Sequence, residues 1–433
     1  MSTPHLKTAL HGELAQLERT IISHTATIER WFRMQWQAHT PPFYGSVDVR
    51  NAGYKIAPVD TNLFPGGFNN LSLEMVPLAV MAAQAGVDKY CPDARNLLLI
   101  PENHTRNTFY LQNVYRLVQI LQQTGLVVRL GSLNPEVSAP TALTTAEGHT
   151  LTVEPLIRFK QGNQERLGLA GFNPCMVLLN NDLTAGIPDL LRGLDSQIVL
   201  PPLHGGWAVR RKTNHFAAYD TVAKDFASEL NIDDWLINPY FAKASGIDFT
   251  DGTGVAALQD AVSDTLAKIR AKYAEYDITE PPFLIVKADA GTYGMGIMQV
   301  KSPDDVASLN RKQRNKMSVI KEGAQVHEVI VQEGVPTIEQ VDGGSAEPVV
   351  YMIDRFVVGG FYRVNAARGR DENLNAPGMS FAPLAFEKPC NVADTSSQPC
   401  SDTNRFYTYG VVGRLALLAA SQELEHTQHL ANA

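Results

Sequence analysis

The sequence predicts an α/β protein built from two different parts. Between residues 96 and 200, short apolar strands alternate with helical segments, which is typical of a parallel sheet covered by helices. Further along, strands follow one another in pairs, VVYMID at 349–354 and VVGGFYRVN at 357–365. A third observation is the order strand, lysine, glycine-rich loop and strand in FLIVKADAGTYGMGIMQV at 283–300.

Composition excludes several classes of protein. The 433 residues are 44% hydrophobic and 19% charged, and no apolar run reaches the about 18 residues that a membrane span needs. The first twenty residues lack the basic and apolar regions of a signal peptide. A net charge of −8 argues against a general nucleic-acid binder. We therefore expect a soluble cytoplasmic protein with no membrane or nucleic-acid partner.

The four cysteines predict neither a zinc site nor a disulfide framework. They are scattered and form no C-x-x-C pair, so free thiols in a reducing cytosol are expected. Cys390 and Cys400 lie ten residues apart in a polar loop, and a disulfide between them remains an alternative.

The N-terminal region combines a helix with an unusual polar stretch. Apolar residues at helical spacing predict one long helix over 5–38, ended by two prolines. Residues 44–71 are irregular and rich in Gly, Pro, Asn and charge. They suit a binding site for a small zwitterion, with Arg50 or Lys55 for a carboxylate and Asp48 or Asp60 for an ammonium. Asx turns and surface ion pairs explain the same composition equally well.

Polar residues follow two predicted strands at the edge where open α/β sheets bind ligands. Glu102, Asn103 and Arg106 come after NLLLIP at 96–101, and Asn180 to Asp182 come after CMVLL at 175–179. A helix N-cap at Thr105 is the alternative explanation for the first group. The basic triplet 210–212 is expected to be a solvated helix face.

The glycine-rich loop predicts a phosphate-binding device. Lys287 ends a buried strand, and glycines at 291, 294 and 296 allow close approach of backbone N–H groups to phosphate. The glycine order and the position of the lysine fit neither a dinucleotide fingerprint, nor a P-loop, nor a kinase loop. A hairpin folded over ATP remains, and an ordinary glycine-rich hairpin with a surface lysine is the alternative.

The C-terminal half resembles the ATP-grasp fold, which holds ATP between two α+β subdomains. The matching features are Lys287, GTYGMG at 291–296, VIVQEGVP at 329–336, Arg363 and NLNAPG at 373–378, together with Asp354. Longer strings make the whole chain similar to the bacterial glutamate–cysteine ligase family of ATP-grasp type. These strings are PVDTNLFPGGFNN at 58–70, LIPENHTRN at 99–107, IVKADAGTYGMGIM at 285–298 and YMIDRFVVGGFYRVN at 351–365. The chain departs from many ATP-grasp enzymes in having no E-x-N on a late strand.

The resemblance implies an architecture. It implies a Rossmann-like (pre-ATP-grasp) substrate-binding domain at 1–205, a helical connector at 206–280 that begins the ATP-grasp part, and an α+β ATP-grasp domain at 281–433. The oligomeric state is left open, and a homo-oligomer is one alternative.

The resemblance also implies a reaction. ATP would phosphorylate the γ-carboxylate of L-glutamate, and the amine of L-cysteine would displace phosphate from the acyl phosphate, with Mg²⁺ neutralising charge. Another carboxylate–amine ligase, such as a glutathione-synthetase-like enzyme or a peptide ligase, and a non-catalytic ATP sensor are the alternatives.

The same resemblance assigns roles to residues. Arg363 and Lys287 are expected to be catalytic. The expected ATP-binding residues are Lys287, Gly291, Thr292, Tyr293, Gly294, Gly296, Gln332, Glu333 and Val335. The expected substrate-binding residues are Arg50, Asp60, Asn62, Glu102, Asn103, Arg106 and Asn180. The expected metal ligands are Asp354, Asn373 and Asn375.

Overall fold

The computed structural model describes residues 13–103, 106–194, 196–291, 296–318, 325–383 and 405–432. The helices are α1 (Glu13–Ser23), α2 (Thr25–Ala38), α3 (Val76–Tyr90), α4 (Thr108–Gln122), α5 (Lys212–Leu230), α6 (Val255–Glu275), α7 (Pro303–Ala307), α8 (Arg311–Ser318) and α9 (Arg405–Thr427). The strands are β1 (Tyr44–Asn51), β2 (Ile56–Asn62), β3 (Asn96–Pro101), β4 (Val127–Ser132), β5 (Thr141–Thr144), β6 (Thr150–Pro155), β7 (Ile157–Gln161), β8 (Gln164–Gly168), β9 (Met176–Asn180), β10 (Ile198–Leu200), β11 (Phe241–Ser245), β12 (Leu284–Ala288), β13 (Ile297–Val300), β14 (Glu328–Glu333), β15 (Gln340–Val341), β16 (Gly344–Ile353), β17 (Phe356–Asn365) and β18 (Ser380–Pro383).

The first sheet has the order β10-β9-β3-β4-β6-β5. Its strands are parallel except β5, which runs antiparallel to β6. β3 and β9 are apolar runs that are buried along most of their length, as expected for strands with helices or other protein on both faces. The carboxyl ends of β3 and β9 therefore lie side by side, as the sequence pattern predicted, and the prediction of a mixed α/β fold is confirmed.

The second sheet joins distant parts of the chain. Its order is β18-β17-β16-β1-β2, so the N-terminal hairpin β1–β2 pairs with strands that come 300 residues later. The prediction of an irregular loop at 44–71 was wrong for these two strands. Val47 and Val49 alternate with polar residues along β1 and are fully buried, but their partner strand could not be read from local sequence. The domain boundary at 205 stays a prediction, although this sheet draws strands from both sides of it.

The third sheet carries the glycine-rich loop. Its strands are all antiparallel in the order β11-β14-β12-β13, and the loop connects β12 to β13. Of the segment GTYGMG at 291–296, only Gly291 and Gly296 lie within the described residues; Thr292, Tyr293 and Gly294 lie outside them. Cys390 and Cys400 also lie outside the described part of the chain.

Two predicted helices are each divided in the structure. The described part of the N-terminal helix is α1 followed by α2, with His24 between them, and the helix expected near 303–317 is α7 followed by α8. The long C-terminal helix α9 packs on α5 and on the β1–β2 hairpin, with Leu415, Leu417 and Leu418 fully buried. Within the described residues, no helix combines the length and the apolar composition that a bilayer span requires.

Candidate active site

A cavity lies between the second and third sheets. Its free space, including the open mouth, is about 820 Å³, and we call it the lysine cavity after Lys212 and Lys287. Its lining is Asp48, Arg50, Val59, Asp60, Lys212, Phe283, Ile285, Lys287, Ala288, Ala290, Gly291, Ile297, Gln332, Val335, Glu347, Arg363, Glu372, Asn373 and Asn375. One part of this lining is apolar and contributed mainly by β12 and β13. The other part is charged and contributed mainly by β1, β2, β16 and β17.

Two buried lysines give this cavity its positive charge. The Lys287 ammonium, at the end of β12, donates to the Val59 carbonyl at 2.7 Å. The Lys212 ammonium, at the start of α5, donates to the Gly291 carbonyl at 2.7 Å and so contacts the root of the glycine-rich loop. Burial lowers the pKa of both lysines, to about 8 for Lys212, although the Asp60 carboxylate opposes this effect in each case. A phosphate bound beside them would favour their charged form.

Lys212 corrects the expectation that the basic triplet 210–212 is solvated. Arg210 and Lys212 are 3% and 7% exposed, and only Arg211 reaches the surface. Asp289 fixes the start of α5 by accepting hydrogen bonds from the Thr213 backbone N–H and hydroxyl. The sequence held a signal for this role, since a lysine in the first turn of a helix is unfavourable for the helix dipole and needs another reason to be there.

Arg363 belongs to a buried network of alternating charges. One guanidinium nitrogen donates to both Asp48 and Glu347 at 2.6 Å, and Glu347 also accepts from Arg50 at 2.6 Å. Burial raises the pKa of Asp48, and Glu347 adds to the rise, although Arg363 opposes it. Burial would raise the pKa of Glu347 as well, but Arg50 and Arg363 together hold it below its ordinary value. Sequence reasoning missed Glu347, because nothing local marks it among the residues of β16.

Arg50 does not lie with the expected substrate group. It lines the lysine cavity, and besides Glu347 it donates to the carbonyls of Val335, Arg370 and Glu372. These contacts occupy its guanidinium and connect the network to the segment after β14. We therefore regard Arg50 as a residue that positions this wall, and the expectation that it binds a substrate carboxylate is not supported by its surroundings.

Next to the segment after β14, the lining of the lysine cavity is apolar except for one polar side chain. Val335 and Phe283 line it together with Gln332, whose buried Nε2 has no hydrogen-bond partner among the described residues. Glu333, in contrast, points away from the cavity. Its carboxylate accepts from Lys55 at 2.8 Å, from the Trp235 indole at 3.1 Å and from a backbone N–H. The side chain of Glu333 thus anchors this segment rather than contacting a ligand in it.

A second, larger opening lies at the carboxyl edge of the first sheet, and we call it the sheet-edge cleft. It encloses about 2400 Å³ including its open mouth. Its lining is Ser46, Asp48, Asp60, Asn62, Phe64, Gly66, Gly67, Asn69, Asn70, Glu102, Asn107, Phe109, Tyr110, Gln112, Ala146, Glu147, Asn180, Asp182, Trp207, Val349, Tyr351, Phe361, Arg363, Asn375, Met379, Ser380 and Phe381. Four residues line both openings: Asp48, Asp60, Arg363 and Asn375. The two openings therefore meet at these side chains.

Asp60 is the carboxylate at this junction that faces both lysines. Desolvation would raise its pKa, but Lys212 and Lys287 outweigh that effect and hold the pKa below its ordinary value. Asp60 therefore stays ionised, and its Oδ1 lies 4.0 Å from the Lys212 ammonium.

The predicted residues after β3 and β9 divide into two groups. Glu102, Asn62 and Asn180 line the sheet-edge cleft, whereas Asn103 and Arg106 are exposed and line neither opening. The Asn180 side chain is fully engaged: its oxygen accepts from Tyr110 and Asn113, and its nitrogen donates to Pro65 and Tyr44. Asn180 therefore holds the cleft wall in shape.

The predicted metal ligands are not all brought together. Asn373 and Asn375 line the lysine cavity, and their amide oxygens are of the type that Mg²⁺ prefers. Asp354 is in the turn of the β16–β17 hairpin and pairs with Lys89 at 3.0 Å. Glu347 lines the same cavity as the two asparagines. The turn is roughly 20 Å from Glu347, at about 3.3 Å per strand residue, so Asp354 cannot share a metal with Asn373 and Asn375. Among the described residues, His, Cys, Asp and Glu form no cluster of three that would hold a metal.

Two comparisons with known proteins show the family of this chain. The family model of glutamate-cysteine ligase matches residues 18–424. A crystal structure from Methylobacillus flagellatus KT, assigned as a gamma-glutamylcysteine synthetase, is 60% identical over 99% of this chain and 100% of that chain, with a TM-score of 0.90.

More distant structures add no argument. A D-alanyl-alanine synthetase A from Vibrio cholerae O1 is 12% identical over 73% of this chain and 80% of that chain, with a TM-score of 0.34. A glutathione synthetase-like effector from Globodera pallida is 9% identical over 82% of this chain and 83% of that chain, with a TM-score of 0.40. No curated protein matches the sequence. The family match over nearly the whole chain and the 60% identical structure are sufficient by themselves: this chain belongs to the glutamate-cysteine ligase family.

Proposed function

We propose that this protein is an ATP-dependent ligase that joins the γ-carboxylate of L-glutamate to the amine of L-cysteine through an ATP-grasp mechanism. Family membership supports the reaction. The observation that carries the mechanism is the meeting of the lysine cavity and the sheet-edge cleft at Asp48, Asp60, Arg363 and Asn375. A phosphoryl group bound on one side of that junction can reach a carboxylate bound on the other.

The lysine cavity suits ATP. The adenine ring would lie against Phe283 and Val335, where the Gln332 amide offers a buried donor without a partner among the described residues. The phosphates would lie toward Lys212 and Lys287, next to Gly291. Two buried ammonium groups that are already in position would stabilise the negative charge of the phosphates.

Arg363 is the residue placed to act on the transferring group. Its position at the junction allows it to neutralise the charge that develops on the γ-phosphoryl group when a carboxylate oxygen attacks phosphorus and ADP leaves. Asp48 and Glu347 fix the guanidinium in one orientation, so little reorganisation is needed during the reaction.

The second half of the reaction needs a deprotonated amine. The cysteine nitrogen attacks the acyl carbon, forms the amide bond and displaces phosphate, and one proton leaves the nitrogen. The Asp60 carboxylate lies at the junction and stays ionised, so it can orient this amine and accept its hydrogen bond. Mg²⁺, when bound, neutralises phosphate charge, and Asn373 and Asn375 are the predicted ligands that line the cavity.

The experiment is to supply amino acids singly and in pairs with MgATP and to measure ADP and the peptide product. Glutamate with cysteine should give equal amounts of ADP and γ-glutamylcysteine, and neither amino acid alone should give sustained ADP release. Hydroxylamine in place of cysteine should trap the acyl phosphate as γ-glutamyl hydroxamate. ADP release at the same rate with and without glutamate would overturn the assignment. So would a higher kcat/KM with another amine acceptor than with cysteine.

A further inference from the structure

The α4 side of the sheet-edge cleft contains a buried acceptor with no donor. Gln112 is 4% exposed and lines the cleft. Its Nε2 donates to Glu147 Oε2 at 2.9 Å, and this contact sets which way the amide faces. Its Oε1 is buried and accepts no hydrogen bond from any described residue.

A buried amide oxygen without a donor is unfavourable, because it has lost its water without gaining a partner. The position is rigid, since α4 and the Glu147 contact hold the side chain. Such an oxygen is usually explained by a ligand or an ordered water that donates to it. Because the Gln112 nitrogen is already used, the ligand group must be a donor.

The neighbouring charge specifies the kind of donor. Glu147 lines the same cleft, and its Oε2 lies 3.6 Å from His149 Nε2 in addition to accepting from Gln112; its side chain is 65% exposed, so the carboxylate has room for a further partner. Four further carboxylates line the cleft, those of Asp48, Asp60, Glu102 and Asp182. A neutral donor would leave this negative charge uncompensated, whereas an ammonium group has three N–H donors and a positive charge.

We propose that Gln112 Oε1 and the Glu147 carboxylate bind the α-ammonium group of the glutamate substrate. The proposal rests on the proposed function, since it names the subsite for one of its two amino acids. Asn107 and Phe109 line the cleft at the N-terminus of α4, where the positive end of the helix dipole suits the α-carboxylate next to that ammonium.

Glutamate rather than cysteine is assigned to this wall because of what each amine must do. The cysteine amine is the nucleophile and has to lose its charge beside the junction residues Asp60 and Arg363. The glutamate amine takes no part in the reaction and stays charged throughout. Gln112 and Glu147 line only the sheet-edge cleft and not the lysine cavity, which fits a group that remains away from the phosphates.

The test compares glutamate with glutarate, which has both carboxylates and lacks the amine. Gln112→Met and Glu147→Gln remove the acceptor and the charge in turn. Gln122→Leu is the matched control, because Gln122 is an exposed glutamine on the same helix. For each variant, kcat/KM is measured for glutamate, glutarate and cysteine, and glutamate binding is measured by calorimetry.

Loss of a hydrogen bond to a charged group should lower kcat/KM for glutamate by about ten- to a hundredfold in Gln112→Met, with a smaller loss in Glu147→Gln. The values for glutarate and the KM for cysteine should stay as in the wild type, so the preference for glutamate over glutarate should shrink by the same factor. The control should match the wild type.

An unchanged glutamate-to-glutarate preference in both variants would overturn the subsite. So would a rise in the cysteine KM with glutamate unaffected. If Gln112→Met does not fold, Glu147→Gln decides the question, because that side chain is largely exposed. If the wild type forms no γ-glutamylcysteine, but its glutamate binding is still weakened by the Gln112 and Glu147 substitutions, the proposed reaction is wrong and the subsite is not.

Discussion

At the scale of single residues, Lys212 and Lys287 determine what the lysine cavity can bind. Each ammonium donates to one backbone carbonyl, and burial lowers the pKa of each lysine although the Asp60 carboxylate lies nearby. An anionic ligand bound beside them therefore favours their charged form.

Lys287→Ala should weaken ATP binding and lower turnover by about a hundredfold, which corresponds to about 3 kcal/mol for one preorganised charge contact. Lys301→Ala is the control, because Lys301 follows the neighbouring strand β13 and its side chain is 57% exposed. ATP affinity is measured by calorimetry and turnover by ADP release. Wild-type ATP affinity and turnover in Lys287→Ala would remove this residue from the site.

ATP affinity should fall as the pH rises through about 8, because burial lowers the pKa of Lys212 to about 8. Below that pH, Lys212 already carries its proton in the free protein. Above it, Lys212 has to take up a proton when ATP binds, which weakens the binding. One linked proton weakens binding by at most about tenfold per pH unit. In Lys212→Arg, which stays charged, the dependence between pH 7 and 9 should be weaker. A wild-type affinity that is constant over this range would contradict the role of Lys212.

At the scale of elements, α9 holds the start of α5 against β2. Arg210 forms a bidentate pair with Glu423 of α9 and donates to the Thr61 carbonyl at 2.7 Å. His215 also contacts Glu423, at 3.1 Å, and burial lowers the pKa of this histidine. This contact between helices determines where Lys212, two residues after Arg210, enters the cavity.

Glu423→Gln should lower the free energy of unfolding by about 3–5 kcal/mol, because it leaves Arg210 buried with its charge uncompensated. Glu425→Gln, two residues further on the same helix, should cost no more than about 1 kcal/mol, since Glu425 is half exposed and its ion pair with His39 is accessible to solvent. Denaturant unfolding followed by circular dichroism gives both values. Equal effects of the two substitutions would show that the buried pair is not what stabilises α9 on α5.

At the scale of the whole molecule, the second sheet ties the ends of the chain together. β1 and β2 come from the N-terminal region, yet β1 occupies a central place between β2 and β16. The same two strands supply Asp48 and Asp60, so the junction of the two openings requires both ends of the chain.

A fragment of residues 206–433 should therefore neither unfold cooperatively nor bind ATP, because β16 would lose β1 and present an unpaired edge. Production together with residues 1–205 is the control and should restore ATP binding if the hairpin can pair in trans. ATP binding by 206–433 alone, with the affinity of the full chain, would show that the hairpin is dispensable.

Local pattern was sufficient for the elements whose signal is contained in a short stretch. β3 and β9 are apolar runs followed by polar residues, and the sequence placed them within one residue of their observed bounds. Lys287 and the glycines after it form a recognisable order, and the long family strings identified the family. These features depend on neighbours in the chain, so the sequence by itself determined them.

Only the tertiary structure decided which polar residues meet. Asp354 and Arg50 have the residue types that ligand sites use, but the hairpin turn takes the first to Lys89 and the charge network takes the second to Glu347. The sequence predicted Lys212 to be part of a solvated triplet, but its position at the start of α5 directs its side chain into the cavity. Burial, charge pairing and register between distant strands set these roles, and each depends on residues hundreds of positions away, which no local pattern records.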